Sequence, residues 1–324
     1  MPDIDKQRCM YSLDDLKTAV KRPRDVIREL NRLYYTRLRT WEYNREAPNV
    51  FDEDWDNLLL LDACRYDAFE QALREVELPG ELRANYSRGS ATMEFLPANF
   101  AERDLSDTVY ITGTPMLYRM TVLDEYGRRF DHNLHAIVDV WDRIDVERLV
   151  NGNARPKQVA EATLQAAEEY PDKRLFVHFI QPHIPFIGDF GSERFSDVEG
   201  DIWRKQRDGK VGATDSELRK AYYENLLCVM PTVEALLAEL RGKTVVTADH
   251  GQLIGERGFP LPMKDYGHPN GTYPSELVEV PWLSHRNGPR KRIIPEPSET
   301  EYDEEKRKEL DTKAEKLLRD LGYV

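Results

Sequence analysis

The stretch TVVTADHG, residues 244–251, runs from an apolar segment directly into a charged pair. Its first four residues are apolar or β-branched, which predicts a strand buried on both faces, as in parallel sheets. Asp249 and His250 then leave that strand at its carboxyl end. In open α/β sheets the loops at this end converge over a crevice in which ligands and metals bind. The stretch therefore predicts a parallel sheet and, at its edge, a candidate site.

Apolar runs that predict strands alternate with amphipathic runs that predict helices along most of the chain. The other predicted strands are NLLLLDAC (57–64), TVYITGTP (108–115), LFVHFIQPH (175–183) and ELVEVPWL (276–283). The predicted helices between them cover 67–77, 157–170 and 216–242, the last kinked or divided at Pro231. This alternation indicates an α/β fold with a mainly parallel sheet sandwiched by helices.

Differences in composition divide the chain into three parts. Residues 1–50 predict an N-terminal helical arm, in which Pro23 separates two helices. Residues 51–284 carry the alternating pattern and are assigned to the α/β domain. Residues 285–324 are charged and contain proline before a final run that predicts a C-terminal helix.

Basic residues are spread over the second predicted helix of the arm. They indicate a surface arm or a partner contact, including one through which the chain forms an oligomer. The alternative is a solvated helix that packs on the main domain through four apolar side chains. Those side chains are Val26, Ile27, Leu30 and Leu33.

Composition excludes some classes of function. The formal net charge of −13, with 59 acidic and 46 basic residues, argues against a nucleic-acid partner, which requires a basic face. Arginine also outnumbers lysine, and such an acidic surface suits work in concentrated salt, where screening removes self-repulsion. We therefore hypothesise a halophilic source, with an ordinary acidic enzyme as the alternative.

The sequence also bears on location and on cysteine chemistry. It contains no run of about 18 apolar residues, so we predict no membrane span. The first residues, MPDIDKQRCMYSLDDL, lack the features of a signal peptide, and we expect a cytoplasmic protein. Cys9, Cys64 and Cys228 have neither the spacing of a disulfide framework nor that of a thiolate zinc site.

Polar side chains that bind metal or phosphate stand at the ends of three predicted strands. Asp62 follows four leucines, His183 ends the third strand, and the Asp-His pair follows the fourth. His268, in DYGHPNG, adds an imidazole shortly afterwards, whereas His178 lies inside its strand and is expected to be a core histidine. Mixed carboxylate and imidazole ligands suit Mn²⁺, Zn²⁺ or Mg²⁺.

Several of these stretches together resemble one known family. They are DNLLLLDACRYDAF (56–69), FIQPHIPFIG (179–188), TVVTADHGQLIGERG (244–258) and DYGHPNGTYPSELVEVPWL (265–283). With them the chain resembles the sulfatase-like branch of the alkaline phosphatase superfamily, and the Asp-His-Gly with its trailing Gly-His-Pro is the most specific part. The resemblance implies an alkaline phosphatase-like α/β fold.

The resemblance also implies roles for particular residues. Asp62, Asp249 and His250 are expected to hold a divalent metal ion, Mn²⁺ or Zn²⁺ in first place and Mg²⁺ or Ca²⁺ as alternatives. His183 and His268 are expected to face the transferred group or to complete a second metal site.

A nucleophile is expected in SRGSATMEFLPANF, residues 87–100. Similar sequences place a Thr or Cys just before a short helical turn, so Thr92 is chosen, in contact with the metal. Ser90 remains the rival nucleophile. A hydroxyl at a helix amino terminus would also present an oxyanion to backbone N–H groups.

Two departures from the family's pattern bear on the reaction. Neither Cys64 nor Ser90 stands in the Cys-x-Pro-x-Arg context from which sulfatases make formylglycine. The stretch QPHIPF lacks the Asp of the Asp-x-x-x-His that two-metal members supply, so a full second metal site is not assigned.

We therefore predict a formylglycine-independent, metal-dependent hydrolase or transferase that acts on phosphate esters, with sulfate esters in second place. The expected substrate is a small-molecule, glycan-linked or lipid-linked ester. The alternative is a catalytically inactive binding or assembly protein that keeps the fold, and metal content would separate the two.

Overall fold

A computed structural model describes residues 23–39, 44–122, 129–143, 154–300 and 308–313. Within these ranges the strands are β1 Asn57–Leu61, β2 Glu81–Tyr86, β3 Thr108–Thr112, β4 Ala136–Asp139, β5 Arg174–Phe179, β6 Gly242–Thr247, β7 Leu253–Arg257, β8 Lys264–Gly267 and β9 Glu279–Asn287. The α-helices are α1 Pro23–Leu33, α2 Tyr66–Glu75, α3 Thr92–Phe100, α4 Met116–Thr121, α5 Val140–Arg143, α6 Pro156–Glu169, α7 Asp189–Arg194, α8 Ile202–Arg207, α9 Asp215–Glu239 and α10 Ser275–Val278. A π-helical turn, Tyr34–Arg39, follows α1.

Seven strands form one mixed sheet in the order β2-β9-β6-β1-β5-β3-β4. The five strands from β6 to β4 are parallel to one another. At the other edge β9 pairs antiparallel with β6, and β2 pairs antiparallel with β9, so that β2 runs in the same direction as the five. β7 and β8 form a separate antiparallel hairpin. The prediction of an α/β fold with a mainly parallel sheet between helices is confirmed. None of the described helices combines the length and apolar character needed to cross a membrane.

The four leucines of β1 show why the sheet is covered on both faces. Leu59 and Leu61 join a buried cluster to which α6 and α9 contribute, whereas Leu58 and Leu60 join a second cluster to which α3 contributes. All four side chains are fully buried. Because alternate residues of a strand face opposite sides of the sheet, an unbroken apolar run is stable only between two layers.

Two predicted elements differ from the structure by more than their end points, and β2, β4, β7 and β8 lie where no strand is predicted. The predicted strand 276–283 is wrong in its first half, because α10 occupies Ser275–Val278 and β9 begins only at Glu279. Of the two alternatives at Pro231, a kink or a division, the division is wrong, since α9 is one helix from Asp215 to Glu239. Buried apolar residues on both sides of Pro231 hold this helix on the sheet and outweigh one missing backbone hydrogen bond.

Residues 288–300 form a strap along the amino ends of the parallel strands. Arg290 Nε donates to the buried Asp56 Oδ2 over 2.5 Å. Backbone N–H groups of the strap then donate to carbonyls that precede β5, β3 and β4 in turn. The strap therefore closes the edge of the sheet opposite the predicted site. Residues 308–313 are helical, and the rest of the predicted C-terminal helix lies outside the described residues.

The arm packs on the domain only in part by the face predicted. Ile27 and Leu33 are half-buried, whereas Val26 and Leu30 are exposed, so the interpretation that these two pack on the main domain is wrong. The buried contacts are Asn31, whose side chain bonds the backbone N–H and C=O of Leu261, and Tyr35, which joins a small apolar cluster. The first predicted helix of the arm lies outside the described residues.

Gly242, at the start of β6, gives a test of this fold. Its φ is +98°, and a Cβ would lie 2.3 Å from Asp56 Oδ2, which Arg290 and the N–H of Lys243 hold in place. We expect Gly242→Ala to lower the free energy of unfolding by about 3 kcal/mol, measured by urea denaturation, because strain and collision add. Gly209→Ala is the control, with φ +71° and no described atom within 4 Å, and should cost about 1 kcal/mol. If both substitutions lowered the free energy of unfolding equally, the collision between the new Cβ and Asp56 would not contribute.

Candidate active site

Two carboxylates meet at the carboxyl edge of the sheet. β1 and β6 are adjacent parallel strands, so the residues that follow them lie side by side. Asp62 follows β1, and Asp249 and His250 follow β6. One ligand atom from each of these three residues lies within 4.8 Å of the others, and all three residues are buried. The structure thus brings together the three residues that the sequence suggests as metal ligands.

The imidazole of His250 is oriented toward both carboxylates. Its Nε2 lies 3.6 Å from Asp62 Oδ1 and 3.4 Å from Asp249 Oδ2. Its Nδ1 lies 2.7 Å from the carbonyl oxygen of Gly251, to which it can only donate. Nδ1 therefore carries a proton, and Nε2 is the ring atom that faces the cluster.

Glycine at the third position of Asp-His-Gly is required by a close backbone approach. A Cβ on Gly251 would lie 2.1 Å from the carbonyl oxygen of Glu276. The N–H of Gly251 donates to the carbonyl of Leu277 over 2.8 Å, which holds the loop after β6 against α10. The N–H of Ala63, in the loop after β1, donates to Asp249 Oδ1 over 3.0 Å. The site is thus anchored through backbone contacts between loops.

Thr92, the first residue of α3, brings a hydroxyl to the carboxylates. Its Oγ1 donates to Asp249 Oδ2 over 2.6 Å and lies 3.4 Å from His250 Nε2. The side chain is buried. The preferred nucleophile of the sequence analysis therefore lies in the same cluster as the candidate metal ligands.

Ser90, the rival nucleophile, instead joins two loops. Its Oγ lies 2.9 Å from Glu94 Oε2 and 3.0 Å from the carbonyl oxygen of Pro269. Its N–H donates to Glu94 Oε2 over 3.0 Å. These contacts fix the start of α3 against the loop that follows His268, which is a structural task.

Two further candidate histidines lie beside the cluster. The ring centroid of His268 is 4.5 Å from that of His250 and 5.0 Å from that of His183. His183 Nδ1 lies 2.7 Å from the carbonyl oxygen of Ile184, and His268 Nδ1 lies 3.0 Å from Gln252 Oε1. Each Nδ1 donates to an oxygen, which leaves each Nε2 to bind a ligand or to accept a proton.

Sequence reasoning gave His178 only a core role, and it did not identify Tyr110 or Gln252. His178 is fully buried, as expected, but its Nε2 lies 3.7 Å from Asp62 Oδ2 and its Nδ1 lies 2.6 Å from Tyr110 Oη. The alternation of side chains along β5 is the sequence signal that could have revealed the contact between His178 and Tyr110. The signal is weak, because the contact also requires β3 and β5 to be neighbours in the sheet.

Burial and neighbouring charges shift the ionisation of this cluster. Burial alone would raise the pKa of Asp62, but the charges of the surrounding histidines outweigh it and lower the pKa. Burial, reinforced by the charge of Asp62, raises the pKa of Asp249. Burial, reinforced by the neighbouring His250 and His183, lowers the pKa of His268 well below its usual value, so this ring is neutral near pH 7. Without a cation, the two carboxylates repel each other in a desolvated site.

A cavity of about 480 Å³ opens beside the cluster, and Asp62, Thr92, His183 and His268 form part of its wall. Arg119, on α4, is buried and also lines the cavity, as do Glu199 and Asp201. Much of the remaining wall is apolar: Met93, Met116, Ile180, Ile184, Phe186 and Phe195. The cavity therefore offers apolar contacts next to the polar cluster.

Solved structures of low sequence identity are similar to this chain. The soluble domain of lipooligosaccharide phosphoethanolamine transferase A from Neisseria meningitidis matches at 16% identity and a TM-score of 0.45, over 70% of this chain and 75% of that domain. The integral membrane protein itself matches at 16% identity and a TM-score of 0.46, over 70% of this chain and 47% of that protein. The chain thus spans about half of that membrane protein.

Two further similar structures come from other organisms. The C-terminal periplasmic domain of EcEptC from Escherichia coli, in complex with Zn, matches at 15% identity and a TM-score of 0.44, over 73% of this chain and 74% of that domain. A protein in the alkaline phosphatase superfamily from Vibrio parahaemolyticus matches at 13% identity and a TM-score of 0.38, over 83% of this chain and 71% of that protein. No protein-family model matches the chain, and no curated protein matches it.

The repulsion between Asp62 and Asp249 predicts how Asp249→Asn changes the thermal stability without and with a divalent metal ion. Asp249→Asn keeps the acceptor for the N–H of Ala63 and removes a buried charge beside Asp62. In chelator, we expect it to raise the Tm by about 2–4 °C, or about 1 kcal/mol. With Zn²⁺ or Mn²⁺, we expect the wild-type protein to gain stability and the variant to gain none. The measurement is thermal unfolding, with the exposed Asp208→Asn as the neutral control. A fall in Tm in chelator would contradict this account.

Proposed function

We propose that this chain transfers or hydrolyses phosphate esters through Thr92, with a divalent metal ion as cofactor. One observation carries the proposal: Thr92 Oγ1 donates to Asp249 Oδ2 over 2.6 Å, inside the cluster of Asp62, Asp249 and His250. A hydroxyl is a weak nucleophile unless a neighbouring base or cation activates it. This hydroxyl contacts one carboxylate and lies beside the residues that would hold a cation.

The donor set fits a divalent cation. Two carboxylates and one imidazole Nε2 converge, with the Thr92 hydroxyl as a fourth donor. Among the described groups, Asp62 Oδ1 is buried without a hydrogen-bond donor, as expected of an oxygen that binds a cation. Asp62, Asp249 and His250 would hold the ion, and Zn²⁺ or Mn²⁺ suits this mixture of oxygen and nitrogen donors. When bound, such an ion lowers the pKa of a neighbouring hydroxyl and neutralises charge on phosphoryl oxygens.

Thr92 carries the first step. Its Oγ1 attacks phosphorus in line with the ester oxygen, so that the bond from Oγ1 to phosphorus forms as the bond to the leaving alcohol breaks. Asp249 Oδ2 orients the hydroxyl and is the atom placed to hold its proton. The start of α3 adds backbone N–H groups that favour the negative charge on the phosphoryl group.

His183 and His268 suit the second step. In both rings Nδ1 donates to an oxygen, so Nε2 is the atom left to accept a proton. The lowered pKa of His268 keeps that ring neutral and available as a base near pH 7. Either ring could therefore take the proton from the water or acceptor hydroxyl that releases the phosphoryl group from Thr92. Water gives hydrolysis, and another hydroxyl gives transfer.

The cavity supports a phosphodiester with an apolar substituent as the substrate. A diester keeps one substituent on the phosphoryl group that Thr92 would attack, whereas a monoester carries only the leaving alcohol. The apolar wall suits a lipid-like or aromatic substituent. Threonine cannot be converted to formylglycine, so sulfate ester hydrolysis by that route is not proposed for Thr92.

Turnover of nitrophenyl esters tests this proposal. We expect the purified protein to cleave a phosphodiester faster than a phosphomonoester or a sulfate, to lose activity in chelator, and to regain it with Zn²⁺ or Mn²⁺. Thr92→Ala should lower kcat/KM about a thousandfold or more, because the nucleophile is removed. Ser90→Ala should keep kcat/KM within about tenfold, since Ser90 holds only loops together.

Two outcomes would contradict the proposal. Full activity of Thr92→Ala would show that another group attacks phosphorus. Absence of turnover of any ester, together with absence of bound metal, would favour the alternative of a binding or assembly protein. Circular dichroism of each variant checks that the fold is retained.

A further inference from the structure

Exposed apolar side chains are concentrated on one surface. In the part of the chain that the structure describes, seven large hydrophobic side chains are exposed, and five of them lie on the arm or on the turn between β7 and β8. These five side chains define the arm face: Val26, Leu30, Leu38, Phe259 and Leu261. The other two, Tyr86 and Leu164, lie on β2 and α6.

Direct contacts hold the arm against the turn, so that the two parts of the arm face lie next to each other. Asn31 accepts from the N–H of Leu261 over 2.9 Å and donates to its carbonyl over 3.0 Å. The rings of Tyr34 and Phe259 pack edge to face with centroids 5.1 Å apart. Leu38 is the most exposed member, at 80%. Apolar side chains gathered in this way mark an interaction surface more strongly than the same number scattered singly.

Residues 17–39 of the arm are basic in sequence, although the chain is acidic. Against a net charge of −13 for the whole chain, this segment contains only two acidic residues, Asp25 and Glu29. It contains eight basic residues: Lys17, Lys21, Arg22, Arg24, Arg28, Arg32, Arg37 and Arg39. Within the described part of the segment, Arg28 pairs with Asp25 and Asp265, and Arg32 pairs with Glu29. Arg24 and Arg37 are exposed close to the arm face, which therefore has these two cations beside its apolar side chains.

The arm lies next to the loop that borders the active site. A Cβ on Gly271 would lie 2.8 Å from Thr36 Cγ2 and 3.1 Å from Arg32 Cγ. Gly271 directly follows Asn270, which lines the cavity together with His268. A surface that docks on the arm face would therefore lie close to the loop that carries His268.

We propose that the arm face docks on an anionic lipid surface. Apolar side chains among arginines on a helix are typical of segments that lie in the interface of a bilayer, and each arginine near the surface strengthens the attraction to anionic lipid. A second copy of the chain is the weaker occupant. A two-fold contact would set one basic arm against another, and a head-to-tail contact would not close into a dimer. The proposal does not depend on the proposed reaction.

Vesicle binding by the full chain tests this inference. We expect co-sedimentation with vesicles that contain phosphatidylglycerol, reduced by added salt, and weak binding to vesicles of phosphatidylcholine alone. Leu38→Ser and Phe259→Ser should each lower the partition coefficient about tenfold, because each removes one apolar side chain from the interface. Arg37→Gln should lower it about fivefold on anionic vesicles only.

The matched controls are Tyr86→Ser and Leu164→Ser, which remove exposed apolar side chains outside the arm face and should leave vesicle binding unchanged. Thermal unfolding confirms that each variant is folded. Equal binding to both kinds of vesicle, or equal loss in the controls, would overturn the proposal. A dimer in light scattering that Leu38→Ser converts to a monomer would assign the arm face to a second copy. A monomer that binds neither kind of vesicle would also overturn the proposal.

Discussion

The structure is organised around two carboxylates that are held side by side out of water. Asp62 and Asp249 follow adjacent parallel strands, so the geometry of the sheet itself sets their separation. Each loses its hydration and repels the other, and the surrounding imidazoles compensate only in part. Such an arrangement is unfavourable for the isolated fold and favourable for binding a cation. The proposed chemistry follows from that single constraint.

Rigid contacts around the carboxylates oppose their tendency to move apart. Gly251 allows the loop after β6 to lie directly on the backbone of α10, and Ala63 binds Asp249 from the neighbouring loop. Ser90 ties the start of α3 to the loop after His268. The strap at the opposite edge of the sheet closes the fold away from the site. The domain thus separates an edge that confers stability from an edge that holds the reactive groups.

Two hydroxyl groups that are close in the sequence have different roles in this site, so distance along the chain does not indicate which groups they contact. Ser90 and Thr92 are two residues apart, yet one is bonded to Glu94 and the other to Asp249. Ser90 precedes α3, whereas Thr92 is its first residue, and the turn of the chain between them points their side chains to different partners. The arm shows the same effect, because it buries Asn31 and Tyr35 and leaves Val26 and Leu30 exposed.

The fold class, and the edge of the sheet at which the polar residues gather, follow from the amino-acid sequence alone. The apolar runs at 57–61 and 244–247 are sufficient for this, because a strand buried on both faces must lie inside a parallel sheet, and polar residues at its carboxyl end must leave at one edge. The contacts between side chains follow from the folded chain: Tyr110 with His178, Gln252 with His268, and Thr92 rather than Ser90 with Asp249. These contacts join elements far apart in the chain, and strand order and loop packing, which local periodicity does not encode, bring them within a few ångströms.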